Sequence, residues 1–305
     1  MKRRSPKLSK SFFRYLSLAL LAALLIASVA SAAPSLQEDE TIIMASDNPM
    51  GNVTPFYFET WVGGEMGPYV YDSLFLRTPE LTLIPGLATS YSVSDDGLTY
   101  TVKLREDVQW HDGEPFDAED VIASYKWMSG MGGTRGVSLR GLMTDTITAI
   151  SPYEVQFEIE ETNPFFVDRA LSIEVIPQHV WQEIFDDPDL EIPEGMTIYD
   201  VAHDFEAKVG SGPFKFVEME RDQTYRFERN DDYWGPKPLV KDLVVTVIKD
   251  RTVMMQALSA GEVDVSLISV EPSAVEQFEQ DPAIDIMEGP DMANYSLFIN
   301  VERPT

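Results

Sequence analysis

The polar chemistry open to this chain of 305 residues rests on three histidines and a large surplus of acids, 51 against 23 lysines and arginines. One cluster stands out. His111-Asp112-Gly113-Glu114 sets an imidazole beside two carboxylates, groups that could ligate a metal or move a proton. The same four residues also read as a polar turn between a strand and a helix. His179 and His203 stand apart from His111, and no two histidines have the i, i+4 spacing that puts two ligands on one helix face. There is no G-x-S-x-G elbow and no phosphate loop. The absence of cysteine excludes a thiol nucleophile, a disulfide and a thiolate zinc site. Carboxylate pairs can hydrolyse glycosidic bonds, so an exported carboxylate-dependent hydrolase stands as an alternative function, although so many acids single out no pair. No cofactor or metal is expected.

A second group of residues suits binding rather than turnover. Thr41-Ile42-Ile43-Met44-Ala45 reads as a short apolar strand, followed from Ser46 to Gly67 by a stretch rich in Asn, Pro and Gly. Ligands of open α/β sheets sit beyond the carboxyl ends of strands, which puts this loop in reach of one. Within it, Trp61 offers an aromatic platform, Gly63 and Gly64 let backbone approach a solute, and Glu65 could meet a cationic end. Ordinary packing of Trp61 and plain surface exposure of Glu65 are the alternatives.

The elements that must hold these residues are organised around residues 83–128. Leu98, Tyr100, Val102 and Leu104 alternate with Thr99, Thr101, Lys103 and Arg105, the period of a half-buried strand. Asp95-Asp96-Gly97 separates it from the Tyr91/Val93 alternation and predicts a hairpin. Phe116-Asp117-Ala118-Glu119-Asp120 opens a helix with Asp117 as N-cap and Asp120 reaching back as a capping box. A further hairpin is predicted from Thr146 to Glu160, extending the same sheet, and two short helices from Pro164 to Ile184, the second opening at Pro177. Phe185 to Gly210 reads as an acidic surface connection, and Phe214–Met219 with Thr224–Glu228 as a third hairpin. Leu243–Ile248 is a continuous apolar run, expected of a strand covered on both faces. Val253, Met254, Ala257 and Leu258 then repeat at helical spacing up to Gly261, and Val263, Val265 and Leu267 alternate, which together make a βαβ crossover. Helix Ser273–Glu279 and strand Ile284–Met287 would repeat the unit.

Pro85-Gly86-Leu87-Ala88, Asp96-Gly97-Leu98-Thr99-Tyr100, Leu104-Arg105, His111-Asp112-Gly113 and Phe116 to Val121 together resemble, in order and spacing, the signature of the family 5 extracellular solute-binding proteins, receptors of peptide and nickel ABC importers. Val209 to Phe214 resembles that family's "vGtGPy.f" junction and Glu228 to Gly235 its "RNp.YWg". Pro68 to Phe75 resembles a helix closing the first loop, and Ala260-Gly261-Glu262-Val263-Asp264 its "l.aGevDi". Asn294 to Asn300 resembles the segment crossing into a second large lobe, which is therefore expected beyond residue 305. The resemblance implies an α/β fold of the type II periplasmic binding protein kind. Its large lobe would be discontinuous, 36–72 and 205–305, with a mainly β small lobe inserted at 73–204. It also implies a non-catalytic receptor that closes on a peptide or other small solute and delivers it to a membrane permease. Ligand contacts are expected from Trp61, Gly64, Glu65, Asn294 and Tyr295, on the face toward the other lobe.

Charge and leader agree with export. Lys2, Arg3, Arg4, Lys7, Lys10 and Arg14 precede an apolar stretch from Tyr15 to Ala30, and Ala30-Ser31-Ala32 supplies small residues for cleavage, so residues 1–32 are predicted as a secretory signal. Its removal makes a chain of net charge −28 more negative still, which disfavours nucleic acid as a partner. The expectation is a freely soluble, monomeric periplasmic protein.

Overall fold

The computed structural model describes residues 41–50, 67–78, 80–130, 138–194, 196–204, 208–268, 272–281 and 284–287. The predicted leader and Trp61, Gly64, Glu65, Asn294 and Tyr295 lie outside the described residues. No helix among the described residues is long and apolar enough to cross a membrane.

Two sheets carry the fold. The first contains β1 (Thr41–Ser46), β8 (Phe214–Glu220), β9 (Thr224–Arg229), β10 (Asp242–Val247) and β11 (Val265–Ser266), in the order β11-β1-β10-β9-β8. β1 runs parallel to both β10 and β11, with Thr41 opposite Asp242 and Met44 opposite Val265. The β10 to β11 crossover, carrying helix α5 (Arg251–Ala260), therefore passes over β1. Alternation along β1 decides what each face meets. Ile42 and Met44 join the large core, while Ile43 and Ala45 pack with Met254, Ala257 and Val263 under α5. The sheet is covered on both faces, as the apolar run at 243–248 requires. Asp250 caps α5 by accepting from the N–H groups of Thr252 and Val253, and Gly261 ends it in the left-handed conformation.

The second sheet has the order β4-β5-β7-β6, from β4 (Ala88–Val93), β5 (Thr99–Leu104), β6 (Thr148–Ser151) and β7 (Glu154–Glu158), all antiparallel. Tyr100, Val102 and Leu104 face inward with Val155 and Phe157. Onto them pack helices α1 (Ala118–Ser129), α2 (Phe166–Arg169) and α3 (Gln178–Phe185), through Val121, Tyr125, Phe166 and Trp181. The Tyr125 ring meets Phe157 edge-on at 5.0 Å, and its hydroxyl donates to the Ala170 carbonyl at 2.9 Å. A small hairpin, β2 (Phe75–Arg77) with β3 (Leu83–Pro85), leads into this sheet. An Arg77–Asp168 ion pair ties it to α2. One buried apolar cluster runs through both sheets, from Met44 and Leu243 to Val102 and Phe157.

Four sequence expectations need correction. Pro68 to Phe75 is not one helix: the helical residues are 67–70, and Phe75 begins β2, because the backbone of Ser73 and Leu74 bonds to Gly86, Leu87 and Ala88 instead of to its own turn. The 185–210 connection contains a helix, α4 (Ile198–Asp204), held by the Tyr199 hydroxyl donating to the Trp127 carbonyl at 2.7 Å and by the Phe185 ring. Tertiary partners supply what weak periodicity does not. Pro177 is the N-cap of α3 and not its first helical residue. Residues 284–287 form no ladder among the described residues, so only helix α6 (Pro272–Glu279) of the second predicted unit is formed there.

Candidate functional site

The chain leaves β5 at Leu104 and turns through His111-Asp112-Gly113-Glu114. Here Trp110 N–H donates to the Glu114 carbonyl at 2.8 Å and Gly113 N–H to the Trp110 carbonyl at 2.9 Å. The two side chains at the head of this turn point to different elements. His111 Nε2 donates to the Gly212 carbonyl at 3.0 Å, and its Nδ1 accepts from Gly210 N–H at 3.2 Å. Burial pushes the imidazole pKa down to about 4, with Lys215 opposing the charged form, so the ring is neutral at pH 7. Both ring nitrogens are thereby committed to backbone. Asp112 turns to α3, where its carboxylate meets His179 Nε2 at 2.8 Å. Burial acts to raise its pKa, but bonds from His179 and Glu114 N–H outweigh this and hold it low. Among the described residues no group of three or more His, Asp or Glu could hold a metal. The turn is a staple between α3 and the 210–212 loop.

Six residues on, Asp117 caps α1 by accepting from Glu119 N–H at 2.9 Å, and Asp120 Oδ2 accepts from Asp117 N–H at 3.1 Å, closing the capping box the sequence predicts. Asp120 does more than that. The same Oδ2 accepts from Trp110 Nε1 at 3.1 Å and its Oδ1 from Gln178 N–H at 2.7 Å, so one carboxyl joins the turn, α1 and α3. Burial lifts its pKa to about 6 against the pull of these donors.

A second dense polar arrangement lies where the two sheets meet. Asp72, between the 67–70 helical turn and β2, is 2% exposed. Its Oδ2 accepts from Trp234 Nε1 at 2.8 Å and from the Ser211 hydroxyl at 3.2 Å, and its Oδ1 from the Tyr233 hydroxyl at 3.2 Å. Arg105, directly after β5, lays its guanidinium over the Trp234 ring at 4.3 Å and fixes its Nε on the Gly86 carbonyl at 2.8 Å. Burial raises the Asp72 pKa to about 7, against the three donors and Arg105. Burial also raises the Tyr233 hydroxyl well above its ordinary value, with the Asp72 charge adding to it.

Two glycines and an asparagine make this meeting possible. A Cβ on Gly210 would lie 1.9 Å from the Val70 carbonyl oxygen, and one on Gly212 2.6 Å from that of Tyr69. Only bare backbone fits there, and Gly212 N–H donates to the Val70 carbonyl at 2.9 Å. Asn230, buried, donates from Nδ2 to the Gly212 carbonyl and accepts on Oδ1 from Asp232 N–H, each at 3.2 Å. That turn presents Tyr233 and Trp234 to Asp72.

The predicted contact residues Trp61, Gly64, Glu65, Asn294 and Tyr295 fall outside the described residues, so the structure brings none of them to a common place. The described residues instead bring together the motif residues His111, Gly210, Gly212, Asn230 and Trp234, with Asp72 at their centre. Sequence reasoning missed Asp72. Its signal was a single carboxylate inside the run Val70-Tyr71-Asp72-Ser73-Leu74-Phe75, because a charge within a buried segment must be partnered.

The sequence and the fold have counterparts among known proteins. The model of a family described as bacterial extracellular solute-binding proteins, family 5, matches residues 82–305. Di/tripeptide-binding protein 2 of Pseudomonas aeruginosa is 28% identical over 92% of this chain and 54% of its own length. The dipeptide-binding protein of Escherichia coli is 26% identical over 97% of this chain and 56% of its own. Among solved structures, the oligopeptide-binding protein AppA of Bacillus subtilis, in complex with a nonapeptide, superposes with a TM-score of 0.70 at 24% identity, over 81% of this chain and 47% of AppA. NikZ of Campylobacter jejuni, in complex with Ni(L-His), gives 0.64 at 26% identity, over 79% and 45%. The chain spans about half the length of the curated relatives it matches.

Proposed function

The chain belongs to the family 5 bacterial extracellular solute-binding proteins, and from that premise we propose that it serves as the substrate-capturing component of an ABC importer, holding a short peptide or similar small solute and passing it to a membrane permease. The observation that carries this reading is the family match over residues 82–305, together with relatives named for di- and tripeptide binding. In this reading residues 1–32 are a leader that sends the protein to the periplasm, where it acts as a monomer. The solute lies against the face formed by the 46–67 loop and residues 289–295, opposed by a second lobe. Trp61 and Tyr295 stack on apolar parts of the solute, Asn294 and the Gly64 backbone bond its polar groups, and Glu65 meets a cationic end. Residues 73–204 form a lobe inserted into the one built by 36–72 and 205–305.

The described chemistry fits a binder. Asp72, Asp120 and His111 each spend their polar atoms on the protein's own backbone and side chains. No observation favours the hydrolase alternative. The test is to identify by mass spectrometry the small molecules that copurify with the protein, then to titrate them while following tryptophan emission. Saturable binding with the solute recovered intact supports the reading. Conversion of the solute to product, or no saturable response to any copurified compound or dipeptide, refutes it.

A further inference from the structure

We propose that Asp72, Trp234 and Arg105 form a proton-responsive joint between the two sheets, in which gain or loss of one proton on the buried carboxyl is transmitted to the indole of Trp234. The three residues come from separate parts of the fold: the segment leading into β2, the turn after β9 and the end of β5. Trp234 lies between opposite influences. A guanidinium covers its face at 4.3 Å and a carboxyl oxygen sits 2.8 Å from its ring N–H. Arg105 cannot easily leave, because its Nε is bonded to the Gly86 carbonyl.

The two protonation states differ in a definite way. As a carboxylate, Asp72 accepts from Trp234 and Ser211 on one oxygen and from Tyr233 on the other. A proton added to Oδ1, the oxygen with a single donor, turns Tyr233 from donor to acceptor and leaves the Trp234 and Ser211 bonds in place. The negative charge at the indole N–H edge disappears while the cation over its face remains. Burial favours the neutral acid; three donors and one cation favour the anion. These balance near neutrality, with the Asp72 pKa at about 7.

Asp107, largely exposed, lies 3.9 Å from a terminal nitrogen of Arg105; Glu174, Asp231 and His111 are engaged elsewhere. Glu174, next to the Val175 N–H that bonds the Asp72 carbonyl, acts on Tyr71 and Tyr125. Asp231, on the same turn as Trp234, is paired with Arg229 and Lys237. His111, behind the 210–212 loop, is neutral over this range.

The experiment is a tryptophan emission titration of the 305-residue chain from about pH 5 to about pH 9, a window spanning the balance point of burial and donors. Subtracting the same titration of Trp234→Phe isolates one of five tryptophans. The expected difference signal is a single transition with a midpoint near 7, absent in Asp72→Asn. Arg105→Met should move that midpoint up by about one pH unit, since it removes the cation that favours the anion. A difference signal flat across the range overturns the proposal, and so does an unmoved midpoint in Arg105→Met. The second outcome decides the matter even where Asp72→Asn fails to fold.

Discussion

Replacing Gly210 by alanine tests the packing logic of the 210–212 loop. The added Cβ would stand 1.9 Å from the Val70 carbonyl oxygen and 2.8 Å from its carbon, whereas real Cβ contacts do not fall below 3.0 Å. The neighbour is backbone and cannot rotate away, so one segment must move by about an ångström, an overpacking strain worth about 1 to 3 kcal/mol. That movement also stretches three bonds: Gly212 N–H to the Val70 carbonyl at 2.9 Å, His111 N–H to the Gly210 carbonyl at 2.8 Å, and Gly210 N–H to His111 Nδ1 at 3.2 Å. Each contributes roughly 0.5 to 1.5 kcal/mol, which brings the expected loss to about 3 to 7 kcal/mol. Urea denaturation followed by far-UV circular dichroism measures it. Gly141→Ala is the control, because its φ is +84° but nothing lies within 4 Å of the added Cβ; left-handed strain alone should cost about 1 to 2 kcal/mol. A loss at Gly210 no larger than at Gly141 would show that the loop does not rest on Val70 as described.

Asp117→Ala should cost about 0.5 to 2 kcal/mol in the same assay, with solute affinity of the complete receptor unchanged; a large affinity loss at unaltered melting temperature would contradict a purely capping role. Asp120→Ala strands the buried Trp110 Nε1, Gln178 N–H and Asp117 N–H together, and should cost clearly more than Asp117→Ala, about 3 kcal/mol or above; an equal cost would mean that water replaces the carboxyl without penalty. His111 has a folded pKa of about 4, below its ordinary 6.5, so its contribution is fully present above pH 6.5 and lost as pH falls through 4. Thermal melts between these limits should show a steeper acid loss for the wild type than for His111→Gln, and parallel curves would refute the assignment of that loss to His111. Asp120 has the opposite sign, because its folded pKa is raised to about 6. Its contribution is whole at acid pH and lost as pH rises through 6, and Asp72, raised to about 7, has the same sign; melts of His111→Gln should therefore fall toward alkaline pH, and less steeply once Asp120 is also replaced by Asn.

Much of the fold was legible in the sequence, because it is written locally. Alternation over Leu98 to Arg105, the Asp-Gly turn before it, the capping box at Asp117 and Asp120 and the left-handed Gly261 each depend on a few neighbouring residues, and each is found where expected. The change of pattern from hairpins to a βαβ crossover was legible too, but not that β1 lies between the two strands of that crossover and pairs in parallel with both. Helix α4 was not legible: its anchors, the Trp127 carbonyl that accepts from the Tyr199 hydroxyl and the ring of Phe185, come from other elements and leave no periodic pattern in its own sequence. The solute contacts proposed at Trp61, Gly64, Glu65, Asn294 and Tyr295 come from residue types beyond a strand end and from the family resemblance, and lie outside the described residues. The motifs themselves, His111-Asp112-Gly113, Gly210-Ser211-Gly212 and Asn230 to Trp234, could be read along the chain, but their purpose could not. Only the tertiary structure shows that the second and third meet at Asp72, whose bond to Trp234 joins residues 162 positions apart, and that His111 braces the 210–212 loop from behind. The physical reason is that hydrogen-bonded turns and side-chain alternation are settled among near neighbours. The environment of a buried carboxyl is set instead by whichever donors and cations distant segments bring to it.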